Sequence, residues 1–149
     1  MTTPMYHYTE SGLGNVWLKN GYVMKDTAYG EGVSIQDVEG LHKLIGTLIA
    51  KRPKITGKEL RFLRKEMDMS QSALGSLLGT SEQNISLWER RGNIPKVSDR
   101  LVKLIYLEHV NPDGNIKIRE LIDRLNEEDA RQEERLELEK RHSSWREAA

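Results

Sequence analysis

The sequence predicts a mainly α-helical fold: a bundle of short helices, preceded by a small β-hairpin and one helix and followed by a charged C-terminal helix. Three observations predict it. Apolar residues recur at three- and four-residue intervals through most of the chain. A hairpin signal stands only in the first third, and the last forty or so residues are rich in charge and poor in apolar side chains.

Composition narrows the class. The chain has 149 residues, 31% charged and 37% hydrophobic, enough for one domain or two small ones. The longest apolar run, 44–50, is far short of the ~20 residues a membrane helix needs. The first residues, Met-Thr-Thr-Pro, lack a basic-then-apolar signal pattern, so the expectation is no membrane and a cytoplasmic location. There is no cysteine, and His7, His42, His109 and His142 are scattered without ligand spacing. No metal and no cofactor is expected. The net charge is zero, but it is unevenly spread: residues 1–50 carry 3 basic and 5 acidic side chains, 51–105 carry 12 and 6, and 106–149 carry 8 and 12. A basic middle between acidic ends suits a polyanionic partner, and equally a mixed solvated surface.

In chain order, residues 6–9 read as a short aromatic strand, and 16–19 and 22–25 as two strands joined by Asn20-Gly21. That dipeptide favours a type I′ turn, so a hairpin is expected, with Trp17 filling a small core and a further short strand over 32–34. Val38, Leu41, Leu44, Ile45, Leu48 and Ile49 then mark one face of a helix. Ser34 and Asp37 form a capping-box-like start, and Lys51-Arg52-Pro53 forms its end. These elements make up an N-terminal region, 1–53.

Residues 54–111 read as four short helices. Leu60, Leu63 and Met67 give the inner face of the first, and Ala73, Leu74, Leu77 and Leu78 that of the second. Ile85 and Trp88 give that of the third, and Leu101, Leu104 and Ile105 that of the fourth. After the turn 111–114, region 112–149 opens on the stripe Ile118, Leu121, Ile122 and Leu125. It fades into 127–141, a solvated helix or a disordered end in which only Leu136 and Leu138 are apolar.

Function concentrates in 70–89. Ser70 and Ser81 stand where helix N-caps belong, and Gly79 suits the positive φ that ends one helix sharply before the next. Gly75 and Ala73 permit close helix approach, while Leu74, Leu78, Ile85 and Trp88 lock the pair. With Gln71, Leu74, small Gly75, Gly79, Ser81, Ile85, Ser86, Trp88 and Glu89 in this order and spacing, the segment resembles the helix-turn-helix of the Cro and phage-repressor (XRE) family, over roughly 56–110. The resemblance implies a lambda-repressor-like bundle whose third helix enters the major groove of double-stranded DNA.

Carried onto this chain, it makes Glu82, Gln83, Asn84, Ser86 and Leu87 the base readers. Gln and Asn suit adenine, Glu suits cytosine, and Leu87 suits a thymine methyl. Ser70, Gln71, Ser81, Arg90, Arg91 and Lys96 become the contacts to the DNA backbone. Arg61 and Arg64 are left between DNA and a solvated face. One departure stands out: the family often has Gly two residues after Glu89, where this chain has Arg91 and then Gly92, which re-routes the loop into the fourth helix.

The segments 10–13, 20–21 and 30–33, set before an amphipathic helix and this domain, also resemble MqsA-type antitoxins. Their zinc ligands are missing here, so metal is not carried over. The resemblance adds a toxin protein as a candidate partner and an antitoxin-like autoregulator as a candidate role. A homodimer on a pseudo-palindromic operator is expected, its surface supplied by 118–125 or by 38–49 unless these are core. No nucleophile triad, phosphate loop or catalytic carboxylate pair occurs, so no enzyme is expected. The alternative is a protein-interaction adaptor that keeps the fold without binding DNA.

Overall fold

A computed structural model of the chain describes residues 4–112 and 135–148. They belong to two units: 1–44 together with 133–149, and 45–132. Among the described residues there are six strands and five α-helices, so the fold is mixed α/β and not the mainly α bundle that the sequence predicts. No helix among these residues is long and apolar enough to cross a membrane.

The first unit is built on β1 (Tyr6–His7), β2 (Val16–Leu18), β5 (Leu136–Arg141) and β6 (Ser144–Glu147), in the order β1-β2-β5-β6. The β2–β5 pair is parallel, with Val16 opposite Leu136 and Leu18 opposite Leu138; the other two pairs are antiparallel. Val16, Leu18, Leu138 and Trp145 are buried with Tyr8, Leu13 and Leu41.

Two expectations fail here for identifiable reasons. The charged C-terminal helix is replaced, over 136–147, by the β5–β6 hairpin. The alternation Leu136, Leu138 against Glu137, Glu139 is the period-two pattern of a half-buried strand. Its charges are neutralised across strands: Glu139 pairs with Lys19 at 3.3 Å and with Arg146 at 3.2 Å. The stripe Ile118, Leu121, Ile122, Leu125 lies outside the described residues. The Asn20-Gly21 hairpin does not form either, because β2 already has β1 on one edge and β5 on the other. Asn20 Oδ1 instead accepts from Lys140 N at 2.6 Å, and Gly21, at φ 79°, bends the chain into the next strand.

β3 (Tyr22–Thr27) pairs with β4 (Gly30–Ile35) in a separate two-stranded ribbon. Its tight turn at Ala28-Tyr29 is tied by Thr27 Oγ1 donating to Gly30 O at 2.6 Å. Trp17 lies on the outer face of the larger sheet rather than in a core: His7 stacks on it at 4.1 Å, and the Arg135 guanidinium lies 3.9 Å from the ring centre. α1 (Val38–Ala50) is capped by Asp37, whose Oδ1 accepts from Gly40 N at 3.1 Å, rather than by Ser34, which lies in β4.

The second unit contains the end of α1, then α2 (Gly57–Glu66), α3 (Gln71–Leu78), α4 (Glu82–Arg91) and α5 (Lys96–Val110). α2 opens on a complete capping box, Thr56 Oγ1 accepting from Glu59 N while Glu59 Oε1 accepts from Thr56 N. The core is Ile45, Ile49, Ile55, Leu60, Phe62, Leu63, Met67, Leu74, Ile85, Ile94, Val102, Tyr106 and Leu107. The faces of α3 and α5 are rotated from the expected ones: Ala73, Leu77 and Leu101 are exposed, and Val102 and Tyr106 are buried.

A charged cluster completes this interior. Lys103, fully buried, pairs with Asp99 one helical turn earlier and donates to Arg52 O (2.6 Å) and Pro53 O (3.2 Å). Asp99 Oδ2 accepts from Ile55 N at 2.9 Å, so the pair fastens α5 to the chain entering α2. Burial pushes the Lys103 ammonium below its usual range against the pull of Asp99.

Candidate nucleic-acid interface

The two helices that carry the predicted site are joined by a turn closed by two backbone hydrogen bonds and flanked by serine caps. Ser70 Oγ accepts from Ala73 N at 2.9 Å and starts α3. At its end Gly79 is left-handed (φ 73°, ψ 32°), its N–H donates to Ser76 O, and the Thr80 N–H donates to Gly75 O at 2.8 Å. This double closure is the Schellman pattern, which requires a residue free to take positive φ. Ser81 then caps α4, its Oγ accepting from Asn84 N at 3.1 Å. A Cβ on residue 75 would stand 2.9 Å from Thr80 O, so Gly75 is where the backbone of the turn closes against α3.

Beneath the turn, Leu74 and Ile85 are fully buried and Trp88 is half-buried. A polar cluster ties the far ends of the motif. Arg64 Nε and Nη2 donate to the two oxygens of Glu89 at 2.6 and 3.0 Å, Arg64 Nη1 donates to Met69 O at 2.9 Å, and Gln71 Nε2 donates to Glu89 Oε1 at 3.2 Å. The Arg64 and Glu89 side chains are only 10% and 5% exposed, so this bidentate pair is an internal brace between α2 and α4. Arg64 is therefore not part of a solvated face.

The remaining predicted residues fall into two groups. Glu82, Gln83 and Asn84 lie exposed on the first turn of α4, while Ser86 and Leu87, one turn on, are half-buried. Ser70, Ser81, Arg90, Arg91 and Lys96 are exposed, and Arg90 Nε donates to Ser86 O at 3.3 Å. Gln71 is half-buried and is drawn toward Glu89. Exposed Lys58, Arg61 and Lys65 on α2 add to the basic character of this unit. Where the family pattern departs, α4 runs on through Arg91, and Gly92 (φ 78°) and Asn93 (φ 56°) make the turn one residue late.

Two residues that matter here escape the sequence reading. Glu89 counts there only as a motif residue, yet it holds Arg64 and Gln71 together. Thr80 accepts from Asn84 Nδ2 at 2.8 Å; the one available signal is a hydroxyl four residues before an amide at a helix start. Among the described residues, no group of three or more His, Asp or Glu side chains could hold a metal ion. The chain matches no protein-family model, no curated protein and no solved structure.

Proposed function

We propose that the protein is a sequence-specific DNA-binding transcriptional regulator of the Cro and phage-repressor kind. On this reading it acts in the cytoplasm as a homodimeric repressor on a pseudo-palindromic operator. The observation that carries the proposal is the capped α3–turn–α4 unit. Its buried side, Leu74, Ile85 and the Arg64–Glu89 pair, holds α4 rigidly, while its open side exposes Glu82, Gln83 and Asn84 together at a helix start. A ten-residue helix is about 15 Å long and reaches only a few base pairs, so two copies about one DNA turn apart supply the specificity. Glu82, Gln83 and Asn84 read base edges, with Ser86 and Leu87 at the margin. The Ser70 and Ser81 helix starts, Gln71, Arg90, Arg91 and Lys96 meet phosphates. An antitoxin-like autoregulator is the form of this reading that adds a toxin partner.

The test is binding of the full chain to the duplex upstream of its own coding sequence across a salt series. Three cationic phosphate contacts per protomer, Arg90, Arg91 and Lys96, predict a log–log salt slope of roughly −5 for the dimer. Gln83→Ala lowers discrimination at one base position by about 1–3 kcal/mol. Arg91→Ala weakens all sequences alike and reduces the slope by about one per protomer. Absence of specific binding at low salt refutes the reading in favour of a protein adaptor.

A further inference from the structure

The three exposed residues at the start of α4 are not equivalent. The side chains of Glu82 and Gln83 make no hydrogen bond or ion pair among the described residues, whereas Asn84 Nδ2 donates to Thr80 Oγ1 at 2.8 Å. Thr80 is itself held. Its N–H is bonded to Gly75 O, and its carbonyl oxygen packs over the backbone of Gly75. The hydroxyl that receives Asn84 is thus referenced to the backbone of α3 rather than to a mobile side chain.

A primary amide offers two N–H donors and one carbonyl acceptor. Thr80 takes one N–H, which leaves the second N–H and Oδ1 for a ligand. That donor–acceptor pair matches the major-groove edge of adenine, where N7 accepts and the N6 amino group donates. Guanine presents N7 and O6, two acceptors, so Oδ1 would face an oxygen. We propose that Thr80 is a positioning residue that fixes the Asn84 carboxamide as the adenine reader of each half-site. The proposal rests on the DNA-binding reading given above. It also ranks the readers: Asn84 arrives pre-oriented, while Glu82 and Gln83 must be ordered on binding, at a cost in side-chain entropy.

Two measurements test it. In the free ¹⁵N-labelled full chain, the two Asn84 side-chain hydrogens should exchange with water at clearly different rates, the Thr80-facing one being slower. Thr80→Val should reduce the difference to that of a free side-chain amide and Thr80→Ser should keep it. In selection from a random-sequence duplex library, the wild-type chain and Thr80→Ser should enrich adenine at one position of each half-site. Thr80→Val should lose roughly tenfold of that preference and keep the preferences at the other positions. Asn84→Ala should lose the same preference.

A difference between the two Asn84 hydrogens in the wild-type chain no larger than that of a free side-chain amide overturns the proposal while leaving DNA binding untouched. Retention of the adenine preference in Thr80→Val also overturns it, as does an equal loss at every position, which is the mark of a merely structural residue. A wild-type chain that selects no sequence overturns the DNA-binding reading, and the adenine assignment falls with it. The exchange measurement on the wild-type chain needs no variant to fold.

Discussion

Glu89→Ala is expected to lower the stability of the 45–132 unit by about 3–5 kcal/mol, the usual consequence of removing one partner from a buried ion pair. Three observations place the effect at that end of the range. Both side chains are almost wholly withdrawn from water, the pairing is bidentate, and among the described residues Arg64 is left with only the Met69 carbonyl as a partner. The same change frees Gln71 at the start of α3 from the end of α4. DNA binding should therefore fall even under conditions where the chain remains folded. Glu89→Gln keeps the shape and one acceptor but not the charge, and should cost less. Urea unfolding followed by the helical circular dichroism signal measures both variants, and a loss below about 1 kcal/mol for Glu89→Ala would assign the pair to the surface class.

Lys103→Ala is expected to be of similar size, about 3–5 kcal/mol, for a different combination of reasons. It removes a fully buried stem and leaves Asp99 without its cation, and it deprives the Arg52 and Pro53 carbonyls of a donor. Lys103→Met restores the packing but none of the hydrogen bonds, and should fall between wild type and Ala. The pH dependence follows in sign from the depressed ammonium. Between the lowered folded value and the unfolded value of 10.5, the unfolded chain binds more protons than the folded one. The contribution of this group to stability therefore rises as pH climbs through that window. Burial pushes the Tyr106 hydroxyl the other way, upward, and its contribution is lost as pH rises past 10. Comparing the alkaline profiles of Lys103→Met and wild type isolates the lysine. A profile unchanged by the substitution would show that Lys103 titrates normally.

These two pairs also mark where sequence reasoning stopped. Ser70, Gly79 and Ser81 were legible because caps and left-handed turns depend on neighbours within a few residues. Arg64 with Glu89, and Lys103 with Arg52 and Pro53, depend on partners 25 to 51 positions apart, which no local pattern reveals. Arg64 and Lys103 read simply as charged residues of a basic segment. The rotated face of α5 has the same origin, since buried Asp99 and Lys103 occupy positions that a hydrophobic count assigns to solvent.

The first unit was less legible still. β5 pairs in parallel with a strand about 120 residues earlier, and its Glu and Arg side chains hid the Leu136–Leu138 alternation inside a charge-rich run. Asn20-Gly21 does bend the chain, but hairpin formation also needs a free strand edge, and β2 has none. The candidate site was legible in the sequence only as a set of positions, because caps and turns are local signals. What the structure adds is a division among them: Gln71 bound to Glu89, Asn84 held by Thr80, and Glu82 and Gln83 open to solvent.

The central claim, that the first turn of α4 faces base edges, is tested most directly by mapping the contact surface. A labelled full-length chain would be titrated with a duplex recovered from the random-sequence library, and its amide and side-chain NMR signals followed. The account predicts that the largest shifts fall on Glu82, Gln83 and Asn84 and on the amides after Ser70, with smaller ones at Arg90, Arg91 and Lys96. Shifts confined to the β3–β4 ribbon or to the outer face of the four-stranded sheet, with α4 unmoved, would contradict it.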